Sequence, residues 1–168
     1  MLTQLRSAYL IVGAKLGLRW IQTGDLDEIH QFGPATDGVQ LRRAFQETGL
    51  YSPEQGALAI ETLADQRFIG TIQHFPPGPT LHGLEFAYII HRTTDRGLGY
   101  GSEALALFSE FMFFEQPDCR RQQLVIGTEN VASWRAAERA GFRQEGRLQT
   151  SGAGDLEDSY LYGKSRAA

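Results

Sequence analysis

Cysteine occurs once in the 168 residues, at Cys119, so the chain can form no internal disulfide and no cysteine-rich metal site. The basic residues beside it are arginines, which cannot act as a base, and the thiol reads as structural. The four histidines, His30, His74, His82 and His91, show no ligand spacing, and no metal, flavin or nicotinamide signature appears. Long apolar runs are missing as well: nothing approaches the roughly 20 residues of a membrane-crossing helix. The run Ala8 to Val12 is short for the apolar part of an export signal, so a cytoplasmic protein is expected. A basic excess is also absent. The net charge of −4 argues against nucleic acid as a partner and fits a cationic small molecule or peptide amine.

What is present suits one globular domain over residues 1–168, with residues 1–17 as an extension or an extra strand. Hydrophobic residues make up 42% and charged residues 21%, ordinary values for such a domain. Tyr9 to Gln22 reads as extended, in one or two strands about Gly13, with Leu16, Leu18 and Trp20 alternating against Arg19. Asp25 and Glu28 have the spacing of a capping box that opens a helix through Phe32. A second helix is expected over Gln40 to Thr48. Strands follow over Ala57 to Leu63, Arg67 to Phe75 and Leu84 to His91, and the prolines after Phe75 mark a loop. Ser102 to Glu115 is a helix whose apolar face holds Leu105, Phe108, Met112, Leu107, Phe111 and Phe114. Gln123 to Gly127 is a strand. Asn130 caps a helix to Ala140, and two more strands run over Arg143 to Thr150 and Glu157 to Lys164. The order predicts an α/β (α+β) fold: a mixed, mostly antiparallel sheet of about six to seven strands flanked by about four helices, with one parallel step across the Ser102–Glu115 helix.

Three glycines at alternate positions in Arg96-Gly97-Leu98-Gly99-Tyr100-Gly101 precede that helix. Bare backbone N–H groups at a helix N-terminus, added to the positive end of its dipole, form an anion site. A dinucleotide fingerprint needs its third glycine one residue later and a place at the first strand of a repeated βαβ unit. A P-loop needs Gly-Lys-Ser/Thr, and no lysine is present here. A turn without a ligand is the remaining alternative on local sequence.

The segment fits the pyrophosphate loop Arg/Gln-x-x-Gly-x-Gly/Ala at each defined position. With Gly99-Tyr-Gly-Ser-Glu-Ala104, Asn130-Val-Ala-Ser133, Glu138-Arg-Ala-Gly-Phe142, Glu145-Gly-Arg-Leu148 and Tyr162-Gly163, the chain resembles the RimJ/RimL-like branch of the GNAT acyltransferases over about Leu18 to Arg166. The resemblance implies direct transfer of an acetyl or other short acyl group from coenzyme A to an amine. Two other readings are a transferase on the same fold that takes its acyl group from a carrier protein, and a non-catalytic acyl-CoA-binding domain. Many relatives are dimers, so a homodimer is compatible with it.

The resemblance also implies site residues. Arg96, Gly97, Leu98, Gly99, Tyr100, Gly101 and Ser102 would hold the diphosphate. The strand edge at Ile89, Ile90 and His91 would pair with the pantetheine arm, and a backbone N–H near Ile90 would meet the oxyanion. Asn130 would contact the pantetheine region, and Ser133 would lie near the thioester sulfur and protonate the thiolate. Arg139, with Arg135 one turn away, could meet the 3′-phosphate. No tyrosine stands between Asn130 and Gly141, where many relatives place a general acid; Trp134, Ala136 and Ala137 fill those places. For the base, alternation puts Glu85, Ala87, Ile89 and His91 on one strand face. Glu85 matches a frequent acidic position and could act through a water, although it could equally be a hydrogen-bond anchor. His91 has a suitable intrinsic pKa, although a histidine at a strand end is ordinarily solvated. Glu145 and Asp158 are lesser candidates. At Thr150-Ser151-Gly152 the late acid of RimL-like enzymes is missing.

Overall fold

A tight turn through Gly13 folds strand β1 (Tyr9–Val12) onto β2 (Leu16–Arg19), with the Gly13 N–H donating to the Leu16 carbonyl at 2.8 Å. Two helices follow, α1 (Leu26–Phe32) and α2 (Gly38–Thr48). An antiparallel meander comes next: β3 (Gly56–Thr62), β4 (Phe68–Phe75) and β5 (Leu84–Ile90). The rest of the chain comprises α3 (Tyr100–Glu115), β6 (Arg121–Gly127), α4 (Val131–Arg139), β7 (Arg143–Leu148) and β8 (Ser159–Ser165). This computed structural model describes residues 9–33, 37–78, 82–149 and 158–166. The missing late acid at 150–152 and part of the loop after Phe75 therefore lie outside the described residues.

The strands form one sheet in the order β1-β2-β3-β4-β5-β6-β8-β7, with every neighbouring pair antiparallel except β5 and β6. Eight strands exceed the six to seven expected. The parallel step across the long helix and the mostly antiparallel sheet are as the sequence predicts.

One layer of core lies between the sheet and α3. Leu16, Leu18, Leu58, Ile60, Ile72, Leu105, Phe108 and Met112 are all fully buried there. Each such side chain contributes about 1.5–3 kcal/mol through the surface it removes from water. Ser109 and Gln122 dock α3 on β6 without leaving a buried polar group open: the Ser109 hydroxyl donates to Gln122 Oε1 at 2.6 Å, and Gln122 Nε2 donates to the Ser109 carbonyl at 3.0 Å. Phe114 departs from its expected place and is 78% exposed. At 100° per residue it stands half a turn from Leu105, so it points away from the sheet.

Helices α1 and α2 cover the other face through a smaller cluster of Ile21, Leu26, Leu41 and Ala59. Here two local expectations change. Arg19 is not the solvated partner of an alternating strand; it is 4% exposed, donating through Nη1 and Nη2 to Asp25 at 2.7 and 3.0 Å and through Nε to Glu61. Trp20 is instead half exposed, edge-on to Tyr51. Consequently Asp25 does not cap α1. Its carboxylate serves the preceding 3-10 turn, accepting from the Gln22 N–H at 2.8 Å, and Glu28 turns toward β5.

Candidate active site

Strands β5 and β6 are paired only at Leu84 with Gln122 and Glu85 with Gln123. Gly83 helps bring them together there, because a Cβ on it would lie 2.2 Å from the Arg121 carbonyl oxygen. Beyond those two pairs the strands diverge, leaving one edge of β5 open from Phe86 onward. The His91 N–H donates to the Ile69 carbonyl at 2.9 Å, on the β4 side. Alternation then turns the N–H groups of Tyr88 and Ile90 into the gap. An unpaired strand edge inside a sheet is a template for an extended ligand.

At the wide end of this gap stands the start of α3. The helix begins at Tyr100, two residues before the expected Ser102, so Tyr100, Gly101 and Ser102 form its first turn. Its N-cap, Gly99, has φ +85° and offers no side-chain cap, and Gly97 has φ +75°. Residues with a Cβ adopt such angles at a cost of about 1–2 kcal/mol. The first N–H groups of the helix are therefore bare and converge with the dipole on one spot. Gly101 is needed for a different reason: a Cβ there would sit 2.9 Å from the Tyr88 ring.

Three further groups fix and charge this loop. Arg96 folds back onto β5, with Nε donating to the Ile90 carbonyl at 3.0 Å and Nη2 to the His91 carbonyl at 3.3 Å. Asp95, buried, is clamped by the Arg67 guanidinium at 3.0 and 3.3 Å. Lys15, from the β1–β2 turn, donates its ammonium to the Leu98 carbonyl at 2.9 Å, while its backbone N–H donates to Glu103 Oε1 at 2.7 Å. Sequence reasoning misses Lys15, because nothing in one dimension ties residue 15 to residue 98.

On the far wall, Asn130 caps α4 by accepting from the Ser133 N–H at 3.2 Å, and both residues sit at the helix start. The Ser133 hydroxyl lies close enough to the Tyr88 phenol, across the gap, to pull its pKa down. Burial raises the Tyr88 pKa against that opposing pull, so the phenol stays protonated. Tyr88 escapes sequence reasoning too: alternation assigns it to the α3 face, where an aromatic residue reads as core. Trp134 next to Ser133 is half-buried, and its indole N–H has no partner among the described residues. Arg135 and Arg139 are exposed on one face of α4, with the Arg135 guanidinium 5.5 Å from the Trp134 ring centre.

The base candidates fall at opposite ends of β5. Glu85 is at the closed apex, where Oε2 accepts from Gln123 Nε2 at 2.9 Å. His91 is not solvated: it is 3% exposed, stacked on Phe32 and edge-on to Phe68, with Nδ1 3.2 Å from Glu28 Oε1. Burial lowers its pKa and Glu28 only partly restores it. Its Nε2 is buried without a partner among the described residues. Glu145 is paired with Arg121, which lowers its pKa, and Asp158 with Arg147 at 2.7 Å. No group of three His, Cys, Asp or Glu side chains able to hold a metal occurs among the described residues.

A sheet opened beside a glycine-started helix, with bare N–H groups on both, is the architecture of a coenzyme-thioester transferase. The sequence matches the acetyltransferase (GNAT) domain over residues 15–143, three-quarters of its length, and the chain belongs to the GNAT acetyltransferase family. A GNAT-family acetyltransferase from Bacillus anthracis has the same fold, with 18% identity, TM-score 0.75 and coverage of 92% of this chain and 97% of that one. A spermidine N-acetyltransferase from Vibrio cholerae, solved with CoA and spermine, is similar at 19% identity, TM-score 0.74 and coverage of 91% and 96%. A second Vibrio cholerae protein, named for ribosomal-protein-serine acetylation, is similar at 23% identity, TM-score 0.68 and coverage of 93% and 97%. No curated protein matches the sequence.

Proposed function

We propose that the chain is a RimJ/RimL-like N-acyltransferase that moves an acetyl or other short acyl group from acyl-CoA to a primary amine, on a small molecule or a peptide N-terminus. The observation that carries this reading is the coincidence of the open β5 edge with the uncapped glycine start of α3. The backbone of Gly97 to Ser102 binds the diphosphate, with Lys15 adding charge and Arg96 bracing the loop. Arg139 takes the 3′-phosphate and Asn130 the pantetheine amides. The open edge of β5 near Ile89 to His91 pairs with the arm through the backbone groups that face the gap.

The neutral amine attacks the thioester carbon, and the thioester's carbonyl oxygen becomes an oxyanion held by the N–H group that Ile90 turns into the gap. When the carbon–sulfur bond breaks, the Ser133 hydroxyl passes its proton to the sulfur while taking one back from water, and the protonated Tyr88 phenol beside it keeps that hydroxyl in place. Glu85 accepts the amine's proton through a water at its free oxygen, and His91 pins α1 to β5 through Glu28. No helix among the described residues is long and apolar enough to cross a membrane, and a cytoplasmic setting goes with the use of acyl-CoA.

Thermal melting with acetyl-CoA, free CoA, NAD and ATP in separate samples tests the coenzyme. A ligand at 100 times its Kd adds about 2.7 kcal/mol, a rise of roughly 5–10 °C in a domain of this size. A rise with acetyl-CoA and CoA alone is expected. Its absence at saturation overturns the reading and turns attention to a carrier-protein donor.

A further inference from the structure

Behind β5, on the sheet face covered by α1 and α2, lies a cavity of about 490 Å³. That is the size of a small-molecule site. Its floor is β4, where Thr71 stands opposite Ile89 and Gln73 opposite Ala87, so it is one strand, about 4.8 Å, from the open edge. The walls are apolar: Ile21, Ile29, Leu41, Leu50 and Phe75.

The polar groups on its β4 floor are a hydroxyl and an amide, neither of which carries a charge. The Thr71 hydroxyl and the Gln73 amide line the cavity and make no hydrogen bond among the described residues. The nearby His74 is 1% exposed, faces the Ser52 and Pro53 carbonyls with Nε2 at 3.2 and 3.3 Å, and is kept neutral by burial. None of the lining residues is Asp, Glu, Lys or Arg. The carboxylates closest in the chain are engaged elsewhere: Asp25 and Glu61 with Arg19, Asp27 with Arg42, Glu28 with His91 and Arg92, Glu47 with Arg43, and Glu85, opposite Phe75, with Gln123 and, on the acyl-transfer reading, with the reacting nitrogen. Glu54 and Glu115 act on His74 and Tyr51 from outside the lining.

We infer that the acceptor is a monoamine whose body, beyond the reacting nitrogen, is uncharged and largely apolar, with a neutral hydroxyl or amide for Gln73 and Thr71 to hold. This rests on the acyl-transfer reading and names its substrate class. A second ammonium group drawn into the cavity would lose its water and find no counter-ion among the described lining residues, so polyamines and aminoglycosides are disfavoured. The apolar walls in turn favour an aromatic or branched aliphatic body, and the two free polar groups favour one hydroxyl on it.

The test compares tyramine, phenethylamine and spermidine as acceptors, by CoA release and by calorimetric binding to the full chain with CoA present. Tyramine is expected to exceed spermidine in kcat/KM by about 100-fold, the equivalent of two tenfold steps. Gln73→Leu should raise KM for tyramine about tenfold with kcat kept, and leave phenethylamine unchanged. Ala44→Asp, which puts a carboxylate on the α2 wall, should move the preference toward spermidine at least tenfold. Preference for spermidine by the unaltered protein overturns the inference and leaves acyl transfer standing. Tyramine bound in a Gln73-dependent way but never acetylated keeps the cavity's ligand class and overturns acyl transfer. No binding of any of the three overturns the inference.

Discussion

The two faces of the sheet hold their ligand groups by different means. On the α3 side the site is backbone: N–H groups of the glycine turn, of the first turn of α3 and of an unpaired strand edge. On the α1–α2 side it is side chains, Thr71 and Gln73 above an apolar wall, and that face is held to the sheet by buried ions around Arg19. Backbone chemistry demands glycine at fixed places, whereas a side-chain cavity can be relined without disturbing the fold. On the proposed function, one half is constrained by what every coenzyme A shares, and the other is free to define an acceptor.

If the halves are as separable as this contrast implies, substitutions should divide cleanly between them. Gly99→Val has the largest expected effect. It forces a branched residue to φ +85° and displaces the N–H groups of α3, and kcat/KM should fall at least about 100-fold, with the melting rise on adding acetyl-CoA lost. Asp25→Ala should act on the other face alone. It leaves Arg19 buried with one partner instead of two, costing about 3 kcal/mol or roughly 6–12 °C in Tm, while acetyl-CoA still raises the melting point. A coenzyme shift lost in Asp25→Ala would show that the faces are coupled.

Smaller effects sharpen the picture. Tyr88→Phe and Ser133→Ala should each lower kcat about tenfold with little change in the KM for acetyl-CoA. The double variant should be hardly worse than either, because the two hydroxyls act as one unit; additive losses in steady-state kinetics would refute the pairing. The smallest effect concerns pH. Burial holds the folded pKa of His91 below its value of about 6.5 in the unfolded chain, so below that pH the unfolded state binds the extra proton. Stability contributed by neutral His91 is complete above about pH 7 and falls as pH drops through 6.5 toward the folded pKa. His74 behaves alike. Melting between pH 7.5 and 5.5 should show this decline, and His91→Gln should flatten roughly half of it.

The contrast between faces also governs how much of the molecule is legible in its sequence. The glycine turn, the strong helix after it and the Asn130 cap follow from local rules on φ angles, apolar period and unsatisfied N–H groups, so element order and the uncapped start of α3 can be read from the residues alone. Asp25 and Glu28 show the limit. Their spacing matches a capping box, yet a buried Arg19 six residues away attracts one carboxylate, and a hydrogen bond with His91 and an ion pair with Arg92, 63 and 64 residues away, take the other; together they outweigh a cap worth about 1 kcal/mol. Tyr88 and Lys15 are hidden for the same reason. Each reaches the site from an element far off in sequence, and only the fold brings them to Ser133 and Leu98.

The divergence of β5 from β6 leaves a place in the middle of the sheet where peptide protons have nothing to bond. Without ligand, the amides of Tyr88 and Ile90 should exchange with deuterium far faster than the His91 amide, which is bonded to Ile69 on the other edge of the same strand. With CoA in the gap their exchange should slow toward that of their neighbours. The coenzyme would then be a removable rung of the sheet, and isotope exchange would count it in and out one amide at a time.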